Sequence, residues 1–336
     1  MARKVKWGIL GVAHIATANV IPGMMNDPFC EIYGIASRSI EKAKSAASKF
    51  NIPKFYGSYE ALISDPDIEA VYIPLPNHLH VTYTEACIKA GKHVLCEKPF
   101  SLQAHEILPL IKMRDAAKVK VGEAFMVHAA PQWIKAMDII ASKELGTVSS
   151  IMGFFSYSAL PDDNYRNNPE FGGGALLDIG CYPIHTSRWA FGEEPTKVIA
   201  TIAYDEKFGI DKLSSAILEF PSGQCIFSCG NQMVPYQRMN IFGTKKRLEV
   251  VVPFNPSAEQ SVYLIKDSGN LLDGSSMNIE IPTSNQYAEQ SKAFNQAIID
   301  DTEVPVTLEN AFKNMAVIDA LFKSAKSGKW EVPEKI

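Results

Sequence analysis

Val5-Lys6-Trp7-Gly8-Ile9-Leu10, followed at once by Gly11-Val12-Ala13-His14-Ile15-Ala16, decides the fold. An apolar run ends at a glycine, and a helix start follows it. Strand, tight turn and helix at the N-terminus are the setting of the dinucleotide fingerprint G-x-G-x-x-G/A. Ala13 stands in the second glycine's place. Gly11 can supply the turn and Ala16 the close helix–strand contact, while the Ala13 methyl narrows the approach to a pyrophosphate. An ordinary strand–helix turn would show the same residues, so the next elements have to decide.

Residues 31–36 read as a second strand. A site for NAD places an Asp or Glu at the end of that strand, on the ribose diol. This chain has Ser37-Arg38-Ser39 there, with Lys42 on the helix beyond. A carboxylate would repel a 2′-phosphate, whereas a hydroxyl and a guanidinium would bind it. The expected cofactor is therefore NADP, with NAD as the alternative. Residues 70–76 form a buried run followed by Asn77, His78 and His80. Residues 91–96 form another, delivering Glu97-Lys98-Pro99, and residues 119–124 a last one with Glu123 near its end. Pro99 biases Lys98 toward extended backbone. Repeated strand–helix alternation predicts a doubly wound parallel sheet, an α/β fold with ligands at the carboxyl ends of the strands. The candidate cofactor contacts are Gly11, Ala13, His14, Ile15, Ser37, Arg38, Lys42, Leu75, Pro76, Asn77, His80, Glu97 and Lys98.

The chain has 336 residues, 46% hydrophobic, and a net charge of −4 with interspersed signs. That length predicts two domains, placed at 1–124 and 125–336, with the last helix packing back toward the first. No basic block calls for nucleic acid, and no apolar run reaches the roughly 18 residues of a membrane span. The N-terminus lacks the apolar core of a signal peptide, so a cytoplasmic protein is expected. Six scattered cysteines read as reduced thiols rather than metal ligands.

After a helix over 129–143 and a strand over 148–157 comes a polar loop, 162–168. A helix follows Gly172-Gly173-Gly174. On it Asp178, Tyr182, His185 and Trp189 recur at steps of four, three and four, one stripe at 3.6 residues per turn. Leu176, Leu177, Ile179 and Ile184 surround the stripe. An acid, a phenol and an imidazole in an apolar setting mark a site. Strands at 196–204, 213–220, 225–229, 239–242, 248–252 and 261–265, with turns at 221–223 and 266–270, predict a large, mainly antiparallel sheet. Helices over 286–300 and 308–327 close the chain. These helices suffice for one face of the sheet, and an uncovered apolar face invites a homodimer or a dimer of dimers.

Four stretches together resemble the glucose–fructose oxidoreductase / inositol dehydrogenase (Gfo/Idh/MocA) family: Gly8-Ile9-Leu10-Gly11, the run from Tyr72 to His80, the run from Gly91 to Pro99, and Gly172-Gly173-Gly174-Ala175-Leu176-Leu177-Asp178-Ile179-Gly180. The resemblance implies an N-terminal Rossmann domain, a C-terminal domain with an open sheet, a nicotinamide cofactor, and Lys98 near the reacting carbon. The family often carries an Arg before its glycine cluster, which makes Arg166 and Asn167 candidate substrate contacts, with a solvated loop as the plain alternative. The commonest family pattern has a His four residues after the Asp and another Asp three later. Tyr182 and His185 stand there instead. The chain thus looks more like the branch with a Tyr acid–base, which includes dimeric dihydrodiol dehydrogenase and NADP-dependent xylose dehydrogenases, than like inositol dehydrogenases.

The reading is a dehydrogenase or reductase of a sugar or polyol CH–OH group. Tyr182 exchanges the hydroxyl proton, Lys98 favours the phenolate, and Asp178 and His185 orient the substrate. The alternatives are a trans-dihydrodiol dehydrogenase, an NAD-dependent glycosidase and a dinucleotide-binding sensor without turnover.

Overall fold

The computed structural model describes residues 3–269, 274 and 276–336. The chain divides into two compact units, one made of residues up to 130 with 285–312, the other of 131–284 with 313–336. The chain therefore changes unit three times, where the sequence reading has one boundary after residue 124.

The first unit carries six parallel strands: β1 (Val5–Leu10), β2 (Cys30–Ala36), β3 (Lys54–Tyr56), β4 (Ala70–Ile73), β5 (His93–Cys96) and β6 (Val121–Glu123). Their order is β3-β2-β1-β4-β5-β6. Helices α1 (Ile21–Met25), α2 (Ile40–Phe50), α3 (Tyr59–Ile63), α4 (His80–Lys89) and α5 (Leu108–Ala117) connect them. All four residues of β4 are buried, as a strand covered on both faces requires. The order reverses between β1 and β4, and the crevice beyond their carboxyl ends is where such sheets hold ligands.

The second unit begins with α6 (Pro131–Ala141) and β7 (Val148–Ser156), followed by α7 (Cys181–Phe191). The strands β8 (Lys197–Tyr204), β9 (Asp211–Phe220), β10 (Gly223–Gly230), β11 (Tyr236–Gly243), β12 (Arg247–Val250), β13 (Val262–Asp267) and β14 (Met277–Ile281) complete a sheet of order β14-β13-β12-β11-β7-β10-β9-β8. Every pairing is antiparallel except β7 with β10, which is parallel. β14 was not read from the sequence, and the turn expected at 266–270 extends to a residue outside the described ones. Along β7 the pleat sends Ile151 and Phe155 into the core, while Met152 on the other face is 50% exposed. By register Met152 faces Ile226 of β10, itself 40% exposed, which in turn faces Ile217 of β9 and then Ile199 of β8. An apolar row thus crosses four strands on the outer face.

Two helices end the chain. α8 (Gln286–Ile299) belongs to the first unit, and α9 (Leu308–Ser327) gives its residues through Phe312 to the first unit and the rest to the second. α8 answers polar groups left buried on β1 and in the turn between α1 and β2. The Trp7 indole, wholly enclosed, donates to Asn295 Oδ1 at 2.9 Å. Asn295 Nδ2 and Ser291 Oγ both donate to Asp27 Oδ2 at 2.7 Å. Phe294 packs on the Trp7 ring at 5.7 Å between centroids. Buried indoles and carboxylates need such partners. In the second unit, the Asn314 side chain on α9 donates to the Cys181 carbonyl of α7 at 3.2 Å and accepts from Arg188 at 3.2 Å. No helix among the described residues is long and apolar enough to cross a membrane.

Candidate active site

β1 ends in a turn that only a glycine suits. Gly11 has φ +112°, and a Cβ there would lie 3.1 Å from Leu75 Cδ2 and 3.8 Å from the Tyr59 hydroxyl. Its N–H donates to the Ala36 carbonyl at 2.8 Å, tying the turn to the end of β2. Half-buried Ala13, exposed His14 and half-buried Ile15 follow, and Ala16 is buried at the start of a π-helical turn, Ala16–Val20. The strand-end residues of β1, β2 and β4 therefore meet around Gly11. Leu75 and Tyr59 crowd the side where a side chain would stand, so a glycine there keeps the turn backbone bare, as the approach of a pyrophosphate needs.

At the end of β2, Ser37 is buried and its Oγ accepts from the Ser39 N–H at 3.2 Å. Arg38 is exposed, and its charge acts on the Tyr59 hydroxyl. Burial raises the Tyr59 phenol and Arg38 partly offsets this. Tyr59 meets Tyr83 edge to face at 5.0 Å. Ser39 caps α2: its Oγ accepts from the Lys42 N–H at 3.3 Å and donates to Glu41 at 2.8 Å. The Lys42 side chain is exposed. Tyr59, the partner of Arg38, was missed in the sequence because it opens a five-residue helix after a three-residue strand.

After β4, Leu75 is buried, Pro76 half-buried and Asn77 buried. His80 does not reach outward. Its ring is enclosed, with Nε2 2.7 Å from the Leu75 carbonyl and Nδ1 2.9 Å from the Pro99 carbonyl. Burial pushes the imidazole down to about 4 against the opposing pull of those two carbonyls, and Lys98 adds to the lowering. A neutral ring carries one N–H, so it donates to one of the two carbonyls at a time. The Glu97–Phe100 turn leaves β5 and contains a cis Lys98–Pro99 bond. The Glu97 N–H donates to the Ile73 carbonyl at 3.1 Å, and its carboxylate accepts from the Tyr72 hydroxyl at 2.5 Å. Lys98 is half-buried. On α8, burial first and the Glu97 charge second push the Tyr287 phenol up to about 12, with Lys98 pulling the other way.

In the second unit the stripe on α7 and the turn before it holds together. Gly174 has φ +111°, and a Cβ there would sit 1.9 Å from Asp211 Oδ1. The Asp211 carboxylate can therefore cap the helix, accepting from the Leu176 N–H at 2.6 Å and the Ser214 hydroxyl at 2.9 Å. Burial pushes its carboxyl up to about 6 despite these donors. The first turn, Leu176–Gly180, is π-helical, so the stripe is not spaced by 3.6 throughout. Asp178 Oδ2 accepts from Arg166 Nε at 3.0 Å and from the Tyr157 hydroxyl at 2.8 Å. The Asp178 charge raises the Arg166 guanidinium, whose carbon lies 4.6 Å from the Tyr165 ring centre. Tyr182 is buried against Phe155 and Phe254, at 5.6 Å and 5.1 Å between ring centres. His185 is buried one turn further on, and Trp189 stacks toward Trp133 at 6.1 Å. Asn167 is also buried, and its amide donates to the Pro161 carbonyl of its own loop at 2.9 Å. Tyr157 and Asp211 were not singled out in the sequence. Tyr157 looked like the last residue of a strand, and Asp211 lies far from the motif it caps.

Comparison with known proteins agrees with both halves. Residues 5–125 match the model of an oxidoreductase family with an NAD-binding Rossmann fold, and residues 133–249 match the GFO/IDH/MocA C-terminal domain. An uncharacterized oxidoreductase of Rhizobium meliloti is 41% identical over 97% of this chain and 98% of its own. A D-xylose 1-dehydrogenase (NADP(+)) of Haloferax volcanii is 35% identical over 96% of this chain and 98% of its own. A solved 3-ketoreductase from Actinomadura kijaniata, in complex with NADP and TDP-benzene, matches with a TM-score of 0.89 at 25% identity, over 96% of this chain and 98% of that one.

Proposed function

The chain belongs to the GFO/IDH/MocA family of NAD(P)-dependent oxidoreductases, and on that premise we propose that it moves a hydride between the nicotinamide and a carbinol carbon of a sugar or polyol. An aldose such as xylose or glucose going to its lactone, or the reverse reduction, is the favoured substrate class. The observation that supports this most is the stripe of half-buried Asp178, buried Tyr182 and buried His185 among apolar residues of the same helix. Buried polar groups cost stability, and such convergence is the mark of a site rather than of a packing surface.

The bound dinucleotide supplies the hydride acceptor or donor. The rest falls to this chain's residues. Gly11 and Leu75 line the turn that takes the pyrophosphate, and Ser37 with Arg38 hold a 2′-phosphate, which favours NADP. Tyr182 takes or returns the hydroxyl proton, and Lys98 supplies the positive charge that favours the phenolate. Asp178 is held in one orientation by Arg166 and Tyr157, so its carboxylate orients a substrate hydroxyl. His185 binds a second one. The outer face of the eight-stranded sheet, with its Met152–Ile226–Ile217–Ile199 row, supports a homodimer in which a second copy covers it.

The test is a panel of aldoses, polyols and dihydrodiols with NADP⁺ and NAD⁺, followed at the absorbance of the reduced nicotinamide. Oxidation of an aldose or polyol by the wild type is expected. Tyr182→Phe should lose roughly 10²–10⁴ in turnover, the usual contribution of an acid–base group, with cofactor affinity retained. Tyr182→Phe with normal turnover would remove the phenol from the reaction. Bound NADP(H) without turnover of any substrate would point to a sensor.

A further inference from the structure

Three buried polar side chains from three different elements converge on one turn of four residues. Tyr72 of β4 is 0% exposed, His80 of α4 is 0% exposed and Glu123 of β6 is 3% exposed. Tyr72 donates to the Glu97 carboxylate at 2.5 Å. The His80 ring lies 2.9 Å from the Pro99 carbonyl. Glu123 Oε1 accepts from the Phe100 N–H at 2.8 Å. Glu97, Pro99 and Phe100 are thus each held from a different side, and Lys98 is the residue between them. Burying a phenol, an imidazole and a carboxylate is costly unless each finds a partner, and a core of apolar residues would serve the sheet equally well. A surface turn can also hydrogen-bond to water without such partners. Their common target is therefore the point of interest.

We propose that Tyr72, His80 and Glu123 are positioning residues that fix the Glu97–Phe100 turn, and through it the Lys98 ammonium, at the nucleotide-binding edge of the first unit. The inference rests on the reading of Lys98 as a group that assists the reaction. His80 also ties this turn to Leu75, whose side chain lies beside Gly11. The turn carrying Lys98 is thereby held to the segment that lines the pyrophosphate turn. With all three side chains enclosed, each would matter through where it sets Lys98. A catalytic group displaced by about an ångström can lose as much as about a hundredfold in rate.

The experiment is a double-mutant cycle between Tyr72→Phe and Lys98→Met, with kcat and the NADP⁺ dissociation constant measured for all four proteins. Tyr72→Phe removes one oxygen from the core and leaves the ring in place. It should lower kcat by roughly tenfold to a hundredfold while changing NADP⁺ affinity by less than about twofold. In the Lys98→Met background the same substitution should have almost no further effect, because there is no ammonium left to misplace. Equal losses in both backgrounds, or an unchanged kcat with only a lower melting temperature, overturn the proposal. Lys98→Met with wild-type turnover fails in a different way: it removes Lys98 from the reaction and the positioning role with it. His80→Gln is the second variant, should Tyr72→Phe not fold. It keeps an N–H donor for one carbonyl, so its loss in kcat should be smaller than that of His80→Phe. The reverse order sinks the role of His80.

Discussion

Arg38→Ala is the substitution that best separates the two nicotinamide cofactors. The 2′-phosphate could draw on the amide end of α2, on Ser37 or on Arg38. The first is already taken. Glu41 occupies the first turn of α2, its carboxyl held below the usual range by its own backbone N–H and then by Ser39. Ser39 in turn is committed to the Lys42 N–H and to Glu41. Ser37 is buried, its oxygen accepting from the Ser39 N–H. Its O–H remains free to donate, but among the charged groups the Arg38 guanidinium offers a planar fork, with the exposed Lys42 ammonium as a second cation. A hydrogen bond to a charged partner contributes roughly 1.5–3 kcal/mol, and each 1.4 kcal/mol is about tenfold in affinity. Arg38→Ala should therefore weaken NADP⁺ by roughly 10–150-fold and leave NAD⁺ nearly unchanged. Arg38→Lys should fall between, since a point charge replaces a planar fork. The loss should shrink as salt rises, because the pair is exposed. Calorimetric titration of each protein with both cofactors at low and moderate salt reads all of this. Equal losses for NADP⁺ and NAD⁺ would refute the reasoning, as would an undiminished NADP⁺ affinity.

Gly174→Ala should lower the melting temperature sharply. Its Cβ would meet Asp211 Oδ1 at 1.9 Å and demand a left-handed backbone, at about 1–2 kcal/mol for the backbone and about 1–3 kcal/mol for the displaced cap. A wild-type melting curve would show that the cap is dispensable. The depressed His80 imidazole gives an acid-lability prediction. The unfolded chain binds this proton near 6.5 and the folded one only near 4, so its contribution is complete above 6.5 and is lost as pH falls toward 4. That is on the order of 3 kcal/mol, and His80→Gln should remove this part of the pH dependence in denaturant titrations between pH 7 and 4. Identical slopes in the two proteins would refute it. Met152→Lys combined with Ile226→Lys should turn a dimer into a monomer in sedimentation at micromolar concentration, and a monomeric wild type would remove the sheet face as an interface.

The sequence displayed the parts that local pattern controls. β1 and its turn were legible because an apolar run ends at Gly11, where φ is positive. The stripe on α7 was legible because four polar or aromatic residues recur at helical steps in apolar company. What escaped depends on distance along the chain or on short elements. Lys54–Tyr56 is too short to show a period, and with it went Tyr59. The parallel pairing of β7 and β10 joins strands that are not neighbours in sequence, so reading adjacent strands as hairpins could not supply it. Arg166 and Asp178 read as two separate contacts, whereas the structure pairs them. His80 read as a group facing the cofactor, but buried carbonyls of Leu75 and Pro99 have the prior claim on its ring. In each case the missing information is a partner far away in sequence.

The return of the chain to its first unit at 285–312 sets a timetable for synthesis. Residues up to 130 emerge from the ribosome early, yet the Trp7 indole and Asp27 have no acceptor or donor from α8 until residues 291 and 295 appear. The intervening 131–284 segment takes roughly 8–30 s to translate at about 5–20 residues per second. During that interval the nascent Rossmann sheet stands with its α8 face uncovered, and the second unit likewise waits for α9. Neither unit can be cut out as one continuous fragment. A chain stalled or clipped before Asn285 should therefore be a client for chaperones rather than a free-standing nucleotide-binding domain, and only near its last fifty residues does the polypeptide acquire what both units need to close.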